Sequence, residues 1–416
     1  ENGKDAEATE ESCKSGIDHY EYYLIDSSNK ETKYDTNKIE NLGLGSYKLY
    51  VIAYDKAGNN RKSNIVDFKI SVQFKEIEVG DFHTLALDKD NNLWAWGGNG
   101  TGQLGDGTTT NRTSPTKIET GITFVQLSAG HTHSAGIDNE GKLWTWGCNG
   151  EGQLGDGTTN DKMIPQKIMK DKTFKKVIAS DYSTLAIDIN DEIWRWGEFY
   201  TYNAGWKSFS ESPQKLDFKI EYSLISGNSH YLFLDKQKKL WSWGRNSTGQ
   251  LGDGTTTERT NPIQIKPEKQ FTQVSAGYGF SLTIDEEGNL WTWGKNDYGQ
   301  LGNGTKSYKK VPEQIKQGIK FAQVSAGNSH SLAVDYEGNL WTWGNNGSGQ
   351  LGDGTTNNRV VPQKIMNGTK FKKVYARYFS SLAIDINGNI WSWGNNGWAE
   401  LGDGTTTDRL TPVQIN

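Results

Sequence analysis

Cysteine is nearly absent from this 416-residue chain: only Cys13 and Cys148 occur, in different segments. One bridge could not staple a chain of this size, so the pair reads as free thiols and leaves the redox compartment open. Methionine (3) and histidine (6) are equally scarce, and hydrophobic residues make up only 34%. Mean hydropathy is -0.74. No run of about 18 apolar residues exists, which excludes a membrane-spanning helix. A basic excess is also lacking, with a net charge of -5 and a pI near 5.8. Nucleic-acid-binding surfaces are usually basic, so nucleic acid is not expected as a partner. The densest basic run, Lys306-Ser-Tyr-Lys309-Lys310, reads as solvated loop. No signal peptide is visible. Because the chain opens at Glu1 rather than Met, it reads as a fragment or processed product, which leaves a lost leader open.

Glycine (49) and tryptophan (16) are what the chain has in plenty. Many Trp beside many Gly favour short aromatic strands joined by tight turns. Their spacing settles the architecture. Trp-x-Trp-Gly begins at Trp94, Trp144, Trp194, Trp241, Trp291, Trp341 and Trp391, with spacings of 50, 50, 47, 50, 50 and 50. Prolines at 115, 165, 213, 262, 312, 362 and 412 keep the same register, as do aspartates at 88, 138, 188, 235, 285, 335 and 385.

Each unit reads as four short strands. In the fifth, residues 271–277 form the first, 281–285 the second, 289–294 the third and 312–315 a short fourth beginning at Pro312. Asp285-Glu-Glu-Gly288-Asn289 supplies the hairpin turn. Side chains alternate along a strand, so Trp291 and Trp293 share one face and Leu290 and Thr292 the other. Both faces of such a blade are buried, and the Trp series reads as core. The result is an all-β, seven-bladed β-propeller.

Three features could carry chemistry, and each has a plainer reading. Gly-Gln-Leu-Gly-Asp-Gly-Thr starts at Gly102, Gly152, Gly249 and Gly349, with variants at Gly299 and Ala399. No Lys-Ser/Thr and no helix follow, so it is not a phosphate loop. Asp106 and its equivalents supply one carboxylate per loop, too few for calcium, and read as turn caps. His83, His133, His230 and His330 share a position that also accepts Ser183, Phe280 and Ser380, which marks packing rather than a metal or catalytic site. No catalytic residue, metal site or cofactor is expected, and the chain reads as no enzyme.

The string Val274-Ser-Ala-Gly277, then His at the position of His330, then Trp-Gly and Gly-Gln-Leu-Gly, resembles the repeats of the regulator-of-chromosome-condensation family, bacterial type. The resemblance covers about residues 74 to 415. It implies a seven-unit ring, but its members differ in function: a Ran exchange factor that binds chromatin, domains of ubiquitin ligases, and a secreted bacterial inhibitor of β-lactamases. Exchange activity there depends on a feature added to the ring, and no matching insertion occurs here.

Residues 1–72 do not share the repeat, and 73–416 hold the propeller. In the first segment, 20–25, 47–54 and 64–70 read as strands and 55–59 as a turn. The segment resembles the second half of bacterial immunoglobulin-like modules, which implies a small β-sandwich-like spacer. It is short for a full sandwich.

Function is expected in the variable loops between strands one and two. Phe82, Tyr182, Tyr278, Tyr378 and Phe379 are large aromatics there, the raw material of binding hot spots. The third unit breaks the Gly-rich pattern with Phe199, Tyr200, Tyr202 and Trp206, and Trp398 is the other off-register Trp. These latter residues are expected on a different edge, so one patch need not hold both sets. The leading expectation is a monomeric, extracellular or cell-surface bacterial module that binds a protein partner without catalysis. Three alternatives stand beside it: an inhibitor of β-lactamases or penicillin-binding proteins, a guanine-nucleotide exchange regulator of a small GTPase, and a carbohydrate-binding lectin.

Overall fold

Thirty-three β-strands, and no helix, make up the described part of the chain in a computed structural model. The structure describes residues 17–26, 28–39, 45–70, 72–200, 207–219, 221–315 and 318–415. The chain divides into two units, one ending at Gln73 and the other spanning Phe74–Ile415.

The first unit is a single sheet of β1 (Ile17–Ile25), β2 (Glu31–Tyr34), β3 (Gly45–Asp55), β4 (Asn60–Lys62) and β5 (Val66–Ile70). Its order is β2-β1-β3-β4, with β5 also paired to β3. Aromatic residues opposite each other bind the strands: Tyr23 stacks on Tyr50 at 4.9 Å and His19 on Tyr54 at 4.7 Å. The Asp55 carboxylate accepts the N–H groups of Ala57 and Asn59 and so closes the β3–β4 turn. The three strands and the turn expected here are present. The expected sandwich is not what the described residues form, because no second sheet faces this one among them. Strands β2 and β4 are short and almost wholly exposed, so no apolar alternation announces them.

The second unit is seven four-stranded antiparallel sheets, each built of consecutive strands. The first blade is β6 (Phe74–Val79), β7 (His83–Asp88), β8 (Leu93–Gly97) and β9 (Arg112–Ile118). Six further blades follow at 124–168, 174–219, 222–265, 271–314, 321–365 and 371–415. The hairpin between second and third strands is pinned by the Asp series. Asp88 accepts from the N–H groups of Asp90 and Asn92 through one oxygen and from Trp94 Nε1 through the other. The fourth strands begin earlier than expected: that of the fifth blade is Lys309–Gln314, with Pro312 inside it. An outermost strand has no neighbour on one side, so the missing proline N–H costs nothing there.

Apolar clusters lie between blades rather than within them. Leu282, Ile284 and Leu290 of blade five pack against Phe321, Val324 and Trp343 of blade six, and each neighbouring pair repeats the arrangement. The last cluster joins Leu382, Ile384 and Ile415 of blade seven to Ile77 and Trp96 of blade one, closing the ring without a shared strand. At roughly 25 cal/mol per Å² of apolar area, a buried Trp at every seam contributes a few kcal/mol each time. Polar groups fix the register. Trp146 Nε1 donates to the Gln103 carbonyl of the preceding blade at 2.9 Å, and Trp196, Trp293, Trp343 and Trp393 repeat the bond. The histidines belong to this system. His133 Nε2 meets Thr184 Oγ1 of the next blade at 2.9 Å, and His83, His230 and His330 likewise meet serines. Burial pushes all four imidazoles down to about 3, so they are neutral.

Candidate functional site: an aromatic face around an axial cup

In an antiparallel four-stranded blade, the loop between strands one and two and the loop between strands three and four leave from the same end. Loops of both kinds therefore open on one face, and Trp398 joins the first set there. Phe82 is the hub: its ring lies 4.9 Å from His131, 5.1 Å from Tyr378 and 5.9 Å from Trp398. His131 continues the cluster to Tyr182 at 4.9 Å, and Tyr378 to Phe379 at 4.3 Å. The expectation that Trp398 lies on a separate edge from the first set is corrected by that contact. Trp398 is 52% exposed, and Tyr182 and Tyr278 more than a third.

Tyr278 stands apart from the ring cluster. It helps line the axial cup, a cavity of about 260 Å³ where the seven loops converge. The first residue of every loop reaches this cup: Asp81, His131, Asp181, Asn228, Tyr278, Asn328 and Tyr378, with Tyr182 beside them. Phe199 and Tyr200 lie in the third-blade strand Glu192–Tyr200, paired with Ser208 and Lys207. Tyr202 and Trp206 fall outside the described residues.

An ionic cluster forms the floor of the cup. Arg377 Nε donates to Asp81 Oδ1 at 2.6 Å, and the other Asp81 oxygen meets His131 Nδ1 at 2.6 Å. Asp181 lies 3.7 Å from the Arg377 guanidinium. Burial works to raise the Asp81 carboxyl, but the Arg377 charge and the His131 hydrogen bond outweigh it and hold it below the usual range. Burial, with the Asp81 charge, pushes Asp181 the other way. Glu78, half-buried in the first strand of blade one, carries a further shifted carboxyl. Burial pushes it up to about 7.

Arg377 was not among the expected site residues, although a signal for it exists. It replaces the Gly of the Val-x-Ala-Gly series. At Gly80 and Gly327 an added Cβ would lie 2.5–2.9 Å from the histidine ring three residues on. Where that histidine is serine, at Ser183 and Ser380, the position opens and holds Ser180 and Arg377. The aspartates of the cup were visible as loop-leading residues but carried no expectation, since only their convergence gives them a role.

The third blade departs most. Its Gly-rich loop is replaced by a long hairpin of Glu192–Tyr200 and Lys207–Lys219. Trp243 Nε1, like Trp96 Nε1, finds no acceptor among the described residues. Tyr231 stacks on Trp243 at 4.8 Å. A cleft of about 530 Å³ remains between blades three and four, and Asp181, Tyr182, Asn228 and Tyr278 line both cleft and cup.

The loops that carry Asp106 and its equivalents are self-satisfied. Asp106 accepts from Thr108, Arg112 and Asn99, the turn-capping role expected for it. Among the described residues no group of three His, Cys, Asp or Glu is placed to hold a metal ion.

The family model described as the RCC1-like domain matches residues 205–416, half of the chain. RCC1 repeat models match 90–137 and 140–187, and 74–103 and 124–153. The chain belongs to the RCC1-like family. No curated protein matches it. Among solved structures, this RCC1-like chain is similar to yeast RCC1 (Prp20) in its complex with Kap60. The identity is 22%, covering 83% of this chain and 85% of that one, with a TM-score of 0.68. It is also similar to Prp20p from Saccharomyces cerevisiae, described with its binding to Gsp1p and histones, at 22% identity, 83% and 87% coverage and a TM-score of 0.68. Human WBSCR16 matches at 18% identity over 87% of this chain and 98% of that one, with a TM-score of 0.65. At these identities the likeness is one of fold.

Proposed function

We propose that this RCC1-like chain is a non-catalytic protein-interaction module that engages its partner with the aromatic face around the axial cup. The supporting observation is the continuous cluster of Tyr182, His131, Phe82, Tyr378, Phe379 and Trp398 on one face. Partly exposed aromatic rings held in fixed positions are the usual anchors of protein interfaces, because they bury much area at little entropic cost. The yeast relative is itself described as binding proteins: Kap60, Gsp1p and histones. The immunoglobulin-like reading of residues 1–72 as a spacer, and the bacterial, secreted or cell-surface setting, belong to this proposal. So does action as a monomer.

The test is a pull-down with the whole chain against cell-surface proteins and β-lactamases, repeated with Tyr278→Ala and Tyr378→Ala. Capture that both substitutions leave unchanged would remove this face from consideration. Capture of a β-lactamase would select the inhibitor reading. Binding to a glycan array with no protein captured would select the lectin.

A further inference from the structure

We infer that the axial cup takes a single basic side chain, lysine or arginine, from a loop of the partner protein. This rests on the proposed use of the same face for protein binding and names the chemistry at its centre. Two aspartates and no lysine or arginine occur among the seven residues that lead the loops into the cup. Arg377 lies beneath them, nearly buried, with Asp81 as its close partner at 2.6 Å. Asp181 is left with the 3.7 Å approach of Arg377 as its only ion pair among the described residues, and its side chain is one-fifth exposed. Within the cluster of Asp81, Asp181 and Arg377, carboxylates outnumber the guanidinium two to one, and the further Arg245 charge acts on Asp181 from the adjoining cleft.

The walls suit a cation too. Tyr182, Tyr278 and Tyr378 all line the cup, and aromatic faces attract a desolvating ammonium or guanidinium by about 0.5–2 kcal/mol each. An anion would meet the two carboxylates, and an apolar group would cover the one-fifth-exposed Asp181 without adding a partner for it. Size narrows the occupant further. At about 260 Å³ the cup falls short of the roughly 300–1,000 Å³ of small-molecule sites. The adjoining cleft of about 530 Å³, which shares four lining residues with the cup, leaves room for the backbone that carries the side chain.

The experiment is panning of a phage-displayed library of random disulfide-closed peptides against the whole chain. Selected loops are expected to share one Lys or Arg. Replacing it by Glu in the synthetic peptide is expected to weaken binding about tenfold or more to the unaltered protein. Asp181→Asn is expected to have a similar effect, whereas Tyr336→Ala, at the opposite end of the blade, has none. The peptide substitution needs no altered protein, so a poorly folded variant cannot decide the outcome. Loops that share no basic residue, binding indifferent to its replacement, or no selected loop at all would each overturn the inference. Loops lost with Tyr378→Ala but lacking a basic residue would leave the protein-binding face standing. Loops indifferent to Tyr378→Ala would remove the face as well.

Discussion

Arg377 and Asp81, 296 residues apart, are joined at 2.6 Å where the last blade meets the first. The pair is nearly buried on both sides, so removing one partner strands the other charge, at about 3 kcal/mol or more. Arg377→Gly restores the residue found in most other blades and is still expected to destabilise the ring by about that amount. Arg377→Gly with Asp81→Asn is expected to recover a substantial part. Urea unfolding of the unaltered protein, Arg377→Gly, Asp81→Asn and the double variant measures the coupling.

Glycine in the Gly-rich loops is required by the next blade's tryptophan. Gly155 has φ +71, and an added Cβ would lie 2.6 Å from Trp196 Nε1. Gly155→Ala is expected to cost about 2–4 kcal/mol from the combined backbone and packing strain. At Gly100 nothing lies within 4 Å, and Gly100→Ala is expected to stay within about 0.5 kcal/mol. Thermal unfolding of the two variants separates the cases.

The buried histidines set an acid limit. Burial holds the folded pKa of His133 near 3, against about 6.5 in the unfolded chain. Below pH 6.5 the unfolded state binds the extra proton, so this stabilisation is present at neutral pH and is lost as pH falls. From pH 7.5 to 5 each such histidine accounts for about 2 kcal/mol. His133→Phe, which copies Phe280 at the same position, is expected to remove that share of the pH slope. Denaturant titrations at both pH values read the difference.

Once a protein partner is in hand, Phe82→Ala, Tyr378→Ala and Trp398→Ala are each expected to weaken it about tenfold or more, because Phe82 touches both of the other rings on the face. Tyr336→Ala, which removes an exposed ring from the opposite end, is expected to change it less than twofold. Calorimetric titration distinguishes the sets.

Much of the ring could be read from the order of residues, because a side-chain period of two and a chain period near 50 write the blade directly. Asp88, Pro115 and Trp96 announce their roles by recurrence. The face could be read only in part. Phe82 and Tyr378 were visible as loop aromatics, but their contact joins the first blade to the last. Trp398 was separated from them because loop direction follows from strand order, which the spacing of motifs does not state. Arg377 carries no signal in the repeat, since its role begins where the repeat fails. In the first unit, the exposed β2 and β4 carry no alternation and owe their pairing to neighbours.

The ring closes by packing Ile415 and Leu382 against Ile77 and Trp96, with no strand exchanged between the chain's two ends. Every seam is therefore topologically equivalent to the break in the chain. Joining Ile415 to Phe74 by a connector like 119–123, and opening the chain at any other such connector, leaves each strand its neighbours. The position of the ends is thus a free parameter of this architecture, so a permuted gene could present the same face with its tether leaving from any of seven directions.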